Sequence, residues 1–204
     1  MIEVEAAEFQ APFSLRSANR HDLPSIAGLF VEAFAAHPAS SLSIRLRQEF
    51  IAAHARGSGM MVAADLSTDR AVGFAIGGRH EQLDRVRQSF IHGNVLPLAL
   101  HAVTRPDTYL RGRYLRLPSR TARGRRASPC AGHELRYLAV AAAERGSGIG
   151  SALLRAMEDG ILIDQPYFVW VLAERAAAMR FYLRHGFREE FQIDGHVRLI
   201  KGPR

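Results

Sequence analysis

The chain predicts an α/β (α+β) fold built as one domain over residues 1–204, and three observations carry that prediction. Seven short apolar or alternating runs read as strands. Helical periodicities fall between them, and at Glu134–Gly150 an apolar run passes through a glycine-dense loop directly into a helix. With 204 residues, 48% hydrophobic and 23% charged, the chain can build one core without disulfide or metal staples.

Phe13–Arg16 reads as a short first strand. Asp22 is placed to cap a helix with Pro24 in its first turn, with Leu23, Ile26, Ala27, Phe30 and Phe34 on its buried face, stopping before Pro38. A second helix runs from about Leu42 to Arg56, with Leu46, Phe50 and Ala53 inward and Gly57 as its stop. Met60–Ala64 and Ala71–Ile76 flank the turn-forming Ser67-Thr68-Asp69-Arg70 and read as an antiparallel hairpin. In the segment from Glu81 to Gly132, Leu83, Val86 and Phe90 predict a helix to about His92. Gly93-Asn94 breaks it, and a short helix follows over Leu96–Val103.

Leu135, Tyr137, Leu138, Ala139 and Val140 then make a nearly continuous buried-strand pattern. Ile149, Leu153 and Met157 recur every four residues, so a helix follows the glycines and ends at Asp159-Gly160. Tyr167–Leu172 is a strand rich in aromatic and β-branched residues. A helix over about Arg175–His185 places Met179, Tyr182 and Leu183 at i, i+3 and i+4 on one face, so Tyr182 belongs on or beside the inward side. Phe187–Ile193 and His196–Ile200 flank Asp194-Gly195, a hairpin signal.

Composition narrows the function. The net charge of +7 is almost wholly arginine, since Lys201 is the only lysine, and a basic surface steers in polyanionic ligands. Arg111, Arg113, Arg116, Arg120, Arg123, Arg125 and Arg126 crowd one short span. Their first reading is a solvated loop, the second a phosphate or acidic-substrate contact. Nucleic-acid binding ranks last, because Tyr109 and Tyr114 are the only aromatics nearby and neither interleaves with the densest charge. No apolar run approaches the ~18 residues of a membrane span, and Met1–Glu5 is acidic where a secretory signal is basic, so a cytoplasmic location and no membrane partner are expected. Cys130 is the single cysteine and no Cys/His spacing suggests zinc, so no metal is expected.

Arg145-Gly146-Ser147-Gly148-Ile149-Gly150 packs three glycines into six residues. Such a loop points several main-chain N–H groups at one spot, the helix adds the positive end of its dipole, and missing side chains let a diphosphate approach closely. The alternative is a turn made glycine-rich only for tight strand–helix packing.

These residues resemble the GNAT superfamily of acyl-CoA-dependent N-acyltransferases. The family pattern (Gln or Arg)-x-x-Gly-x-(Gly or Ala) is matched in full by Arg145–Gly150, and a helix carrying a tyrosine shortly before Gly-Phe is matched by Phe181-Tyr182-Leu183-Arg184-His185-Gly186-Phe187. The similarity covers about Glu134 to Phe187 and, more weakly, Leu15 to Phe34. Two positions depart from it: Arg175 stands where many relatives carry asparagine, and Ala141-Ala142-Ala143 replaces a common proline.

The resemblance implies a central twisted, mixed, mostly antiparallel sheet of about six to seven strands flanked by helices. A helical and arginine-rich insertion at about 81–132 precedes the fourth strand, and the cofactor-binding core lies at about 134–187. It implies acetyl-CoA as acyl donor, with the amides of Arg145, Gly146, Ser147, Gly148, Ile149 and Gly150 on its pyrophosphate. Arg175 is placed to reach the pantetheine or a phosphate. The N–H groups of Leu138, Ala139 and Val140 are implied to polarise the thioester carbonyl where the fourth and fifth strands part. An alkylammonium of pKa near ~10 needs a base, and Glu134, which by alternation shares a face with Leu138 and Val140, is the candidate. Its alternative is a strand-end glutamate paired with an arginine, and His133 is a weaker base. Tyr182 is implied to protonate the departing sulfur, against a plain core aromatic. The acceptor implied is a primary amine of a small metabolite, with a protein amine second, attacking directly in a ternary complex. The protein is expected as a monomer or as a homodimer paired through an exposed edge in the last strands. Two other classes stay open: a non-catalytic acyl-CoA-binding module, and a dinucleotide-binding oxidoreductase, since Gly146-Ser147-Gly148 with Glu174 partly fits G-x-G-x-x-G although Ser151 takes its third glycine position.

Overall fold

A computed structural model describes residues 13–105, 132–160 and 165–203. Cys130, Tyr109, Tyr114 and the arginines from Arg111 to Arg126 lie outside them. Strands β1 (Phe13–Ser17), β2 (Gly59–Asp65), β3 (Ala71–Arg79), β4 (His133–Val140), β5 (Tyr167–Leu172), β6 (Arg188–Ile193) and β7 (His196–Lys201) form a single sheet in the order β1-β2-β3-β4-β5-β7-β6. Every neighbouring pair is antiparallel except β4 with β5. This is the mixed, mostly antiparallel seven-stranded sheet expected. A doubly wound sheet needs a run of parallel strands, so the oxidoreductase reading falls here. The last hairpin turns through Asp194 and Gly195, both at positive φ, which leaves β6 at one sheet edge and β1 at the other.

The sheet is covered on both faces, as its near-continuous burial demands. Helices α1 (Leu23–Ala33), α2 (Ile44–Gly57) and α3 (His80–Gly93) set Ile26, Phe30, Phe50, Ile51, Leu83 and Phe90 against Val62, Phe74 and Ile76. On the opposite face α5 (Ile149–Gly160) buries Ile149, Leu153, Leu154 and Met157 against Ala75, Leu135 and Val169, beside α6 (Ala176–Arg184). Helix α4 (Val95–Thr104) follows α3 and buries none of its residues fully. Gly73 and Gly77 let α5 approach: a Cβ at Gly77 would stand 2.6 Å from Met157 Cε, and one at Gly73 would stand 2.9 Å from Ile149 Cγ2.

Three local expectations need correcting. Asp22 precedes α1 but makes no side-chain cap there. Its carboxylate instead accepts Asn19 N–H at 2.7 Å and the two terminal nitrogens of Arg16 at 2.6 and 2.9 Å, closing the turn ahead of the helix. Leu183 turns outward at 42% exposure, while Phe181 and Met179 pack inward beside Tyr182. The third concerns the strand that carries the site. Strict alternation fails in β4, where Tyr137 pairs with Ile76 and Leu135 with Gly77, leaving Arg136 as an extra residue in a β-bulge. Beyond the bulge Leu138 and Val140 face α5, whereas Glu134 shares its side with Tyr137 and Ala139. The inference that Glu134 faces the same way as Leu138 and Val140 is therefore overturned.

Candidate active site

Strands β4 and β5 pair only at His133–Tyr167 and Glu134–Phe168, and from there they part. β4 remains paired with β3 out to Val140, and β5 with β7 out to Leu172, so the fork lies between two rigid arms. A cavity of about 1040 Å³ opens along this fork. Its near end is lined by Glu144, Arg145, Gly146, Gly148, Gly150 and Ser151, its middle by Leu138, Ala139, Val140, Val171 and Tyr182, and its far end by Phe34, His37, Phe50, Arg87, Phe90, Leu98, Arg136 and Tyr137. Glu134 and Arg175 also reach its wall.

At the near end the glycines are required by conformation and not by packing. Gly146 and Gly148 stand at φ +92° and +90°, which side-chain-bearing residues rarely adopt, yet a Cβ on either would meet nothing within 4 Å. Tight strand–helix packing thus fails to explain them; only Gly150 is close-packed, 3.4 Å from the Phe181 ring. The loop runs into the first turn of α5, whose leading N–H groups have no partners within the helix and which has Ile149 anchored in the core. The loop is held from outside: Glu32 on α1 accepts Ala142 N–H at 2.9 Å and Arg145 Nη2 at 3.2 Å. Ser147 Oγ donates to the Glu144 carbonyl at 2.6 Å, and Arg175 Nη1 donates to Ala33 O at 3.3 Å across the cavity rim. Two of the six loop amides expected to face a ligand are spent inside the loop, Arg145 N–H on Ala142 O and Ser147 N–H on Glu144 O, each at 3.4 Å, and a polyanion with a long flexible arm fits the remaining amides, the arginines and the open fork.

Tyr182 stands at the middle of the cavity. It is 7% exposed, packs edge-on against Phe181 and Phe187, and has no hydrogen-bond partner among the described residues. Burial raises its phenol well above the usual range, so the O–H stays intact and available to donate. His185 holds this helix to α5, its Nδ1–H donating to Phe181 O at 2.7 Å and its Nε2 lying 2.9 Å from Ser151 Oγ.

Glu134 is buried and heavily partnered. Arg136 donates to it through Nη2 at 2.6 Å and Nε at 3.2 Å, and His80 Nδ1 lies 2.7 Å away. Burial alone would raise its pKa, but the Arg136 charge and these hydrogen bonds outweigh that and hold it below the usual carboxylate value. His133 has no hydrogen-bond partner for its buried Nδ1, and burial lowers its pKa, so it stays a neutral side chain.

The far end contains groups that sequence reasoning passed over. His37 Nδ1 accepts Ala39 N–H at 3.1 Å, which leaves the ring hydrogen on Nε2, 3.2 Å from Tyr137 Oη. Burial pushes His37 down to about 4 and Tyr137 up to about 12, so both are neutral at physiological pH. Arg87, Arg136, His37 and Tyr137 come from three separate elements, and no spacing along the chain connects them. Among the described residues no group of three or more His, Cys, Asp or Glu could hold a metal, and no helix is long and apolar enough to cross a membrane.

Residues 120–189 match the family described as the acetyltransferase (GNAT) domain. No curated protein matches the chain. Among solved structures, an N-acetyltransferase from Staphylococcus aureus Mu50 superposes with a TM-score of 0.59 at 17% identity, covering 92% of this chain and 100% of its own. The Salmonella typhimurium protein yncA, solved with its cofactor acetyl-CoA, gives 0.57 at 15% identity over 94% of each chain. The Corynebacterium glutamicum protein described as histone acetyltransferase HPA2 and related acetyltransferase gives 0.56 at 21% identity, covering 95% and 97%. The family match spans both the glycine loop and the tyrosine helix, and the fold is shared with these structures over almost the whole chain, so the chain is similar to acetyltransferases of the GNAT superfamily on both counts.

Proposed function

We propose that the protein transfers an acetyl group from acetyl-CoA to the primary amine of a small molecule, by direct attack while both are bound. One observation carries the reading. A single cavity joins the glycine loop, the β4/β5 fork, Tyr182 and an aromatic end, so donor and acceptor can meet without leaving it.

The residues present fit the donor. The amides of Gly146, Gly148, Ile149 and Gly150 would hold its pyrophosphate, with the Arg145 and Arg175 side chains beside them, and the acetyl thioester supplies the electrophilic carbon. Where β4 leaves β5, main-chain N–H groups among Leu138, Ala139 and Val140 are freed to bind the carbonyl oxygen, and such fixed dipoles work without reorganisation. Tyr182 donates its proton to the departing sulfur. With a thiol pKa near ~8.5 the sulfur is already a fair leaving group, so this help is modest. The aromatic far end suits a small amine better than a protein surface.

Glu134 is the proposed base, acting through water, since its carboxylate is ionised and reaches the cavity wall. A second reading has a specific observation behind it: the contacts from Arg136 and His80 occupy both carboxylate oxygens and lower its basicity, which suits an anchor for Arg136. Glu134→Gln separates them. A base predicts a lost acidic limb in the kcat pH profile with a nearly unchanged Tm, and an anchor predicts a fallen Tm with the limb retained.

Isothermal calorimetry with acetyl-CoA, followed by a thiol-release assay across small amines, tests the whole reading. Binding without turnover of any amine would leave an acyl-CoA-binding module. No heat with any acyl-CoA would end the proposal.

A further inference from the structure

The far end of the cavity carries a charge pattern that the transfer reaction does not use. Arg136 is 8% exposed and spends Nε and Nη2 on Glu134 and Asp84, at 2.6 to 3.2 Å. Its Nη1 is buried without a hydrogen-bond partner. Arg87 stands beside it, for the two guanidinium groups share one oxygen: Asp84 Oδ1 is 2.9 Å from Arg136 Nη2 and 3.9 Å from Arg87 Nε. At 3.9 Å that last contact is too long for a hydrogen bond, and Arg87 Nε is likewise buried and unpartnered. Both arginines line the cavity, and Arg87, at 27% exposure, is the one within reach of a ligand.

Buried donors in native proteins are nearly always satisfied, and leaving one without an acceptor is costly, more so when it is charged. Two such donors on adjacent guanidinium groups, at the wall of a substrate cavity, call for an acceptor that the protein itself does not provide. A guanidinium matches a carboxylate in shape and charge. Around this point the wall is Phe34, Phe50, Phe90, Leu98 and Tyr137, which offers apolar surface and little else. Arg136 sits two residues along β4 from Leu138, where the proposed carbonyl contacts begin, and Arg87 on α3 shares Asp84 with it, so an anion and an amine on one small molecule can occupy both places.

Resting on the acetyl-transfer reading, we infer that the acceptor is an amine that also bears a carboxylate on an apolar body, that is, a hydrophobic or aromatic amino acid. Its carboxylate docks on Arg87 with the Arg136 charge behind it, and its side chain lies against the phenylalanine wall. A lysine side chain or a simple alkylamine brings no such anion and leaves Arg87 Nε and Arg136 Nη1 without an acceptor among the described residues.

The test compares leucine, phenylalanine and tryptophan with their carboxamides, which differ only in the charge of interest. Turnover is measured with acetyl-CoA. Binding of the N-acetylated acids and N-acetylated amides is measured by calorimetry in the presence of coenzyme A, so that the pocket is read even if turnover is slow. At least one acid should exceed its amide by about 10-fold or more in kcat/KM or affinity, equivalent to the ~1.4 kcal/mol of a single charged contact. Arg87→Gln should abolish that preference, Arg87→Lys should keep part of it, and the Kd for acetyl-CoA should stay unchanged in both. Amides equal to acids throughout, no binding of any acid, or an acid preference that survives in Arg87→Gln would overturn the inference. Acid-selective binding without acetyl transfer would uphold the pocket and sink the reaction, while loss of acetyl-CoA binding in the unmodified protein would strike the reaction alone.

Discussion

The two ends of the cavity are built from different materials. At the proposed donor end the groups offered to a ligand are main-chain amides, in a loop bent through Gly146 and Gly148 and along the fork beyond Glu134. At the acceptor end they are side chains, with Arg87 from α3, His37 from the turn after α1, Phe50 from α2, and Arg136 and Tyr137 from the bulge in β4. The contrast teaches where each end is vulnerable. A backbone site loses ligand affinity when its conformation is blocked but keeps its fold, whereas a side-chain site is wired into the core and loses stability when one member is removed.

The sharpest way to break this comparison is Arg136→Met. It leaves Glu134 buried without its main counter-charge, and stripping one partner from such a pair costs about 3–5 kcal/mol, which a urea melt would show as a lower midpoint. A midpoint within error of the unmodified protein would mean that the acceptor end is no more tied to the core than the loop is.

Gly148→Ala is the counterpart. Its Cβ strikes nothing, so the fold should lose only the conformational penalty of roughly 1 kcal/mol, while acetyl-CoA affinity falls about 100-fold because the methyl group occupies the mouth of the loop. Calorimetry beside a thermal melt separates the two effects, and unchanged affinity would contradict the loop's assignment.

Tyr182→Phe sits between the two ends. It should lower kcat by about 10- to 100-fold with acetyl-CoA affinity nearly unchanged, since the hydroxyl bonds nothing else and the ring still packs on Phe181 and Phe187. Wild-type turnover across the pH range would make Tyr182 a core aromatic only.

A further effect is on acid stability, and it belongs to the side-chain end. His54 is fully buried, with Nδ1–H donating to Phe50 O at 2.9 Å, and burial holds it down to about 4 against about 6.5 when unfolded. The unfolded chain binds more protons between those values, so stability rises with pH across the window and is lost on acidification, by up to about 1.4 kcal/mol per pH unit for this histidine. His54→Gln should flatten that slope in melts between pH 4 and 6.5, and an unaltered slope would assign the acid sensitivity elsewhere.

The fold was largely open to reading because its signals are local. Asp194-Gly195 needs positive φ and announces its hairpin, Ile149, Leu153 and Met157 trace a helix face, and the glycine loop needs its residues at fixed spacing whatever surrounds it. Strict alternation misled at β4, since a bulge is set by how β3 pairs, with Ile76 and Gly77 deciding which residue is extra, and nothing within Glu134–Val140 marks Arg136. Leu183 misled for a related reason, as periodicity names a helix face but the packing of Phe181 and Met179 beside Tyr182 decides which residues it buries.

By itself, then, the chain determined its element order, its donor loop and the tyrosine beside it, because backbone conformation and short-range periodicity act between residues a few positions apart. Only the tertiary structure decided the acceptor end. It turned Glu134 to the side of Tyr137, set Arg87 against Arg136 across 49 residues of chain, and left two guanidinium donors at the cavity wall without an acceptor among the described residues. Charge pairing and burial depend on distances in space, and those exist only once the helices have closed over the sheet.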